Sequence, residues 1–145
     1  MKINNVVVIG SGTMGSGIAA QLCNANIPVT LLDLKTEISQ KAKERIEKSR
    51  PPLLIDKSKI HGIKVGNISD DFKVVSEADW IVEAVVERID IKHEIYDKIF
   101  KERKKDSIVS SNTSSIPISV LSEKMTEVDK KDFCITHFFN PVRYM

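Results

Sequence analysis

The chain has 145 residues, 41% hydrophobic and 29% charged, enough for one domain with a buried core. Its 22 Lys and Arg against 20 Asp and Glu leave a net charge of +2, no field of the kind that recruits nucleic acid or an anionic membrane. No apolar run approaches the ~20 residues of a membrane helix, and no secretory leader fits ahead of the first strand. A cytoplasmic protein is expected, with Cys23 and Cys134 as buried, reduced thiols and no Cys/His spacing of a metal site.

NNVVVIG (Asn4 to Gly10) is β-branched, continuous and closed by glycine, which predicts a strand buried on both faces. From Thr13 to about Asn26, Ile18, Ala19, Leu22 and Ala25 recur at helical spacing, and Pro28 forbids continuation. PVTLLD (Pro28 to Asp33) reads as a second strand, and Lys35 to about Lys48 as a helix with Ile38, Ala42 and Ile46 on one side. Arg50 to Asp71 holds two prolines and two glycines and reads as loop with a single helical turn. FKVVS (Phe72 to Ser76) and DWIVEAVV (Asp79 to Val86) are expected to be strands. A helix follows from Ile89 to about Lys101, with Ile91, Ile95, Ile99 and Phe100 inward; the basic run KERKKD is its solvated end. SIVSSN (Ser107 to Asn112) predicts a strand, IPISVLSEK (Ile116 to Lys124) a helix and FCITHFF (Phe133 to Phe139) a last strand. This alternation implies right-handed βαβ crossovers: a Rossmann-type, doubly wound α/β fold, its sheet mainly parallel and covered by helices on both faces. Ligands of such sheets bind at the carboxyl ends of the strands.

The first strand runs into GSGTMG, with Gly10, Gly12 and Gly15 and, between them, Thr13 and Met14 opening the helix. Asp33, 18 residues beyond Gly15, closes the second strand. A strand, three glycines, a helix and a delayed acid form a dinucleotide-binding fingerprint. Gly10 allows the tight turn, Gly12 the approach of a pyrophosphate, Gly15 close packing of helix on strand, and the helix N-terminus supplies free N–H groups. Asp33 accepts both ribose hydroxyls and repels a 2′-phosphate, so NAD is the expected cofactor over NADP; FAD shares the fingerprint.

VEAVVERIDIK (Val82 to Lys92), SSNTSSIP (Ser110 to Pro117) and THFFNP (Thr136 to Pro141) follow in order. With the glycine motif they resemble the NAD-binding domain of the L-3-hydroxyacyl-CoA dehydrogenase family, from the first strand to the last residue. VRYM, Val142 to Met145, is closer to the long multifunctional fatty-acid oxidation members. The resemblance implies oxidation of an acyl-CoA substrate with NAD. His137 would be the general base for the 3-hydroxyl, Ser114 would hold the substrate oxygen, and Asn112 would sit near the nicotinamide. Glu87 and Lys92 would line the cofactor cleft. From the residues alone, His is the natural base near neutral pH. Ser114 and Ser115 can equally cap the helix opened by Pro117, Glu87 and Lys92 can be an exposed pair, and Glu83 has no assigned role.

The family's orienting acid is a Glu on the strand after HFFNP, and its helical second domain follows. FFNPVRYM, residues 138 to 145, contains no Asp or Glu. The chain is therefore expected to be an incomplete Rossmann domain over residues 1–145 that binds NAD and turns over poorly, by about 10⁴-fold for an orienting acid alone. Basic residues between Lys41 and Lys59 face either the CoA end or solvent. An exposed edge near Phe138 and Phe139 predicts self-association. The alternatives are a catalytically silent NAD-binding or interaction module and another hydroxyacid dehydrogenase sharing the first domain.

Overall fold

A computed structural model describes residues 2–145. Six strands form one parallel sheet: β1 (Val6–Ile9), β2 (Val29–Asp33), β3 (Ile63–Asn67), β4 (Trp80–Glu83), β5 (Ile108–Ser111) and β6 (Phe133–Ile135), in the order β3-β2-β1-β4-β5-β6. Successive residues of β1 point to opposite faces, so Val6 and Val8 feed one core and Val7 and Ile9 the other. Helices α1 (Thr13–Asn24) and α2 (Thr36–Lys48) cover the first face with Ile18, Leu22, Ala42 and Ile46. Helices α3 (Ile89–Glu102) and α4 (Ile118–Leu121) cover the second with Ile95, Tyr96, Ile99 and Leu121. Both faces of the sheet are thus dry, which is why its strands are continuous apolar runs.

After β3 the chain crosses the sheet to enter β4, beside β1. Strand order therefore reverses between β1 and β4, where doubly wound sheets open a ligand crevice. Gly10 sits at that crevice with φ +101°, and a Cβ on it would lie 2.4 Å from the Ala84 carbonyl oxygen. Helix α1 stops in a Schellman arrangement: Asn26 takes φ 60°, its N–H donates to Cys23 O and that of Ile27 to Leu22 O.

Several expected elements differ. Residues 63–67, read as loop, form β3, an edge strand whose Ile63 is buried and whose Lys64 is exposed. The adjacent valines of Phe72–Glu77 suggested a strand, yet the segment is a 3₁₀ helix: Val74 N–H donates to Asp71 O and Ala78 N–H to Val75 O, with Val75 fully buried. The helix opened by Pro117 ends at Leu121, and a further helical turn, α5 (Glu127–Lys130), is capped by Thr126. On α2, Ser39 and not Ile38 shares the buried face with Ala42 and Ile46; on α3, Lys92 and Tyr96 are buried where Ile91 and Phe100 were expected. Cys134 is only partly buried. No helix is long and apolar enough to cross a membrane among the described residues.

Strand β6 ends at Ile135, so His137 lies beyond it and not within it. Phe138 is not an exposed edge residue: it packs on Trp80 with ring centroids 6.5 Å apart, while Phe139 is 61% exposed. The last residues fold back over α1. Val142 is buried against Gly17, and Arg143 donates to the carbonyls of Pro52 and Leu54.

Candidate functional site

At the β1 end, Gly12 precedes α1 with no side-chain cap and no acid in the first helical turn. The N–H groups of that turn therefore stay available to an anion. A Cβ built on Gly12 would meet nothing within 4 Å, whereas one on Gly15 would lie 1.8 Å from the Gly10 carbonyl oxygen. The two glycines thus serve different ends. Gly15 lets α1 touch β1, and Gly12 keeps space open above the loop. Thr13 is exposed at the helix start and Met14 half-buried.

Asp33 closes β2 beside this loop. Its Oδ2 accepts the Ser11 N–H at 2.7 Å and the Ser11 hydroxyl at 2.5 Å; its Oδ1 accepts the Leu34 N–H at 2.7 Å. Each carboxylate oxygen has about two acceptor positions, so Oδ1 keeps one for a further donor. Arg45 of α2 reaches Ser11 O at 3.0 Å. Open space over Gly12, free helical N–H groups and a held acid at the next strand fit a dinucleotide such as NAD.

A second part of the site lies at the ends of β4, β5 and β6. A cleft of about 330 Å³ there is lined by Met14, Glu87, Lys92, Asn112, Ser114 and His137 among others. Six of the residues singled out in the sequence thus converge. Gly10, Gly12, Thr13, Gly15 and Asp33 lie outside this lining, at the β1–β2 end. A hollow of about 740 Å³ near Lys48, Arg50 and Lys57 lies away from the convergence.

Asn112 positions the His137 segment. The backbone ladder of β6 ends where the Thr136 N–H donates to Ser111 O, and the Asn112 Oδ1 then accepts the Phe138 N–H at 2.9 Å. His137 is exposed at the cleft, its ring tilted 36° against that of Phe139 with centroids 4.8 Å apart. No ion pair among the described residues engages its ring.

Glu87 organises the loop after β5. Its Oε1 accepts the Thr113 hydroxyl and the N–H groups of Ser114 at 3.2 Å and Ser115 at 3.4 Å; its Oε2 pairs with Lys92 Nζ at 3.2 Å. Partial burial pushes the Glu87 carboxyl up, but the Thr113 hydroxyl, Lys92 and the Ser114 N–H outweigh it and hold it at about 2. Neither serine caps the helix opened by Pro117, which has no side-chain cap; Thr113 accepts the Ile116 N–H at 3.1 Å in the turn ahead of it. That leaves the Ser114 side chain exposed at the cleft.

Glu87 and Lys92 do pair, but only Glu87 is exposed. Lys92 is 1% exposed and makes a 2.7 Å ion pair with Glu83, itself fully buried. Glu83 also accepts the Tyr96 and Ser111 hydroxyls, both at 2.6 Å, and the Val85 N–H at 2.9 Å. Sequence reasoning missed this hub. The signal was present as an acid inside an apolar strand, WIVE, where an unpartnered carboxylate is not tolerated.

Residues 5–145 match the family described as 3-hydroxyacyl-CoA dehydrogenase, NAD binding domain. A probable 3-hydroxyacyl-CoA dehydrogenase of Deinococcus radiodurans is 42% identical over 100% of this chain and 44% of its own length. A putative fatty acid oxidation complex trifunctional enzyme of Rickettsia felis is 42% identical over 99% of this chain and 21% of its own length. The structure of an Escherichia coli 3-hydroxybutyryl-CoA dehydrogenase superposes with a TM-score of 0.86 at 25% identity, covering 100% of this chain and 31% of that one. The chain therefore spans between a fifth and a half of the length of these relatives.

Proposed function

Because the chain belongs to the family of 3-hydroxyacyl-CoA dehydrogenase NAD-binding domains, we propose that it is the cofactor-binding part of an enzyme oxidising L-3-hydroxyacyl-CoA to 3-ketoacyl-CoA. The observation that carries this reading is the convergence of His137, Ser114 and Asn112 with Met14, Glu87 and Lys92 around one cleft at the carboxyl ends of the strands. NAD, when bound, supplies the two-electron acceptor. The chain's own residues hold it, with Gly12 and the α1 N-terminus on the pyrophosphate and Asp33 on the adenosine ribose. Glu87 and Lys92 border its nicotinamide half.

In this reading the His137 imidazole takes the proton from the substrate's 3-hydroxyl. The Ser114 hydroxyl donates a hydrogen bond to the same oxygen, and Asn112 keeps the His137–Phe138 backbone in register with β5. Among the described residues no carboxylate pairs with the His137 ring, and a slow reaction is expected of them alone. The basic hollow near Lys48, Arg50 and Lys57 suits the phosphates of an acyl-CoA.

The test follows NADH absorbance with acetoacetyl-CoA and the purified chain in excess. Slow NADH loss that disappears in His137→Gln is expected. Equal rates in the two proteins, or no effect of acetoacetyl-CoA on bound NADH, would contradict the proposal and leave a catalytically silent NAD-binding module.

A further inference from the structure

Glu83 is fully buried at the end of β4, yet it does not line the cleft. Its four donors come from three elements: Lys92 and Tyr96 from α3, Ser111 from β5, and the Val85 N–H from the loop after β4. Such saturation is what a buried carboxylate requires. The pair it makes is also continuous with the cleft. Lys92 Nζ bridges Glu83, at 2.7 Å, to Glu87, at 3.2 Å. Glu87 in turn holds Thr113, Ser114 and Ser115. An ammonium has three donors, and two are committed to these carboxylates, leaving one for the cleft that Lys92 borders.

We propose that Glu83 is a positioning residue of the nicotinamide half of the site: it anchors Lys92, and through Lys92 and Glu87 sets the Thr113–Ser115 loop that presents Ser114. This rests on the reading of the cleft as the nicotinamide end of a dinucleotide site. Without Glu83 the Lys92 ammonium has only the half-exposed Glu87, with a side chain 37% accessible, and is free to leave its place. Both shared elements then loosen together, while the Glu83 side chain makes no hydrogen bond to Ser11, Gly12 or Asp33.

That separation makes the role testable by calorimetric titration with two probes. NADH spans both halves of the site, whereas ADP occupies only the adenosine half. For Glu83→Gln, a neutral isostere, NADH affinity is expected to fall at least tenfold while ADP affinity stays within twofold of the parent. An equal loss for both probes in a cooperatively folded variant, or unchanged NADH affinity, overturns the proposal. Should Glu83→Gln fail to unfold cooperatively in urea, Tyr96→Phe decides, since it removes one donor from Glu83 and Tyr96 does not line the cleft. A selective two- to fivefold loss for NADH supports the role; parallel or absent losses overturn it. Absence of NADH binding by the parent chain would instead refute the dinucleotide reading itself.

Discussion

The same Gly→Ala change at Gly12 and at Gly15 should break two different things. At Gly15 the new methyl carbon would stand 1.8 Å from Gly10 O and 2.9 Å from Gly10 C, both backbone atoms. The loop and helix must separate by at least 1.2 Å, the gap between 1.8 Å and the 3.0 Å below which such contacts are not made. Overpacking against unyielding neighbours costs about 3 kcal/mol or somewhat more. In a domain of this size that lowers the melting temperature by about 10 °C. At Gly12 the methyl meets nothing within 4 Å, and the backbone, φ −66° and ψ −167°, is open to alanine. Stability should change by less than about 1 kcal/mol. NADH affinity should nevertheless fall by about tenfold or more, or about 1.4 kcal/mol, because the methyl occupies the room a pyrophosphate needs. Urea unfolding followed by the single tryptophan, Trp80, and NADH titration measure both quantities. Gly12→Ala binding NADH like the parent, or Gly15→Ala losing under about 1 kcal/mol, would refute this division of labour.

Lys92→Met strands the buried Glu83 carboxylate and should cost about 3 kcal/mol in urea unfolding, at the low end for a broken buried pair because Tyr96, Ser111 and Val85 still donate to it; a loss below about 1 kcal/mol would show the pair to be dispensable. Glu87, held at about 2, lies below its ordinary value of 4.5, so its contribution to stability is full above pH 4.5 and is lost as pH falls through 2. Stability curves of the parent and Glu87→Gln should therefore converge on acidification, and a constant gap between them would contradict the assignment. Phe139, Tyr144 and Met145, 61%, 49% and 79% exposed, lie along one C-terminal stretch and should promote concentration-dependent self-association; a constant monomer mass in light scattering at high concentration would count against it.

The parts of the fold most legible in the sequence were those where one pattern had one outcome. VVVI, β-branched throughout and closed by glycine, is a strand between two dry faces, and GSGTMG followed by Asp33 placed both the turn and the acid. Ile63–Asn67 was hidden because an edge strand pairs on one side only, and its Lys64 and Gly66 look like loop. Phe72–Glu77 misled because β-branched residues also serve a buried 3₁₀ crossing. The cleft residues were legible as motifs, but Glu83 was not. Its partners Lys92, Tyr96 and Ser111 stand 9, 13 and 28 residues away, and only the meeting of β4, α3 and β5 joins them. For Ser114 the sequence left both a substrate contact and a helix cap open; the helix after Pro117 has no side-chain cap, and Ser114 is exposed at the cleft.

The central claim is that this chain holds NAD through Gly12 and Asp33. Its most direct test is a fluorescence titration of the chain with NADH and NADPH, repeated with Asp33→Asn. Strong NADH binding, weak NADPH binding and a narrowed preference in the variant are predicted, since the variant removes the charge that repels a 2′-phosphate. Equal affinity for both nucleotides in the parent chain, or binding of neither, would contradict it.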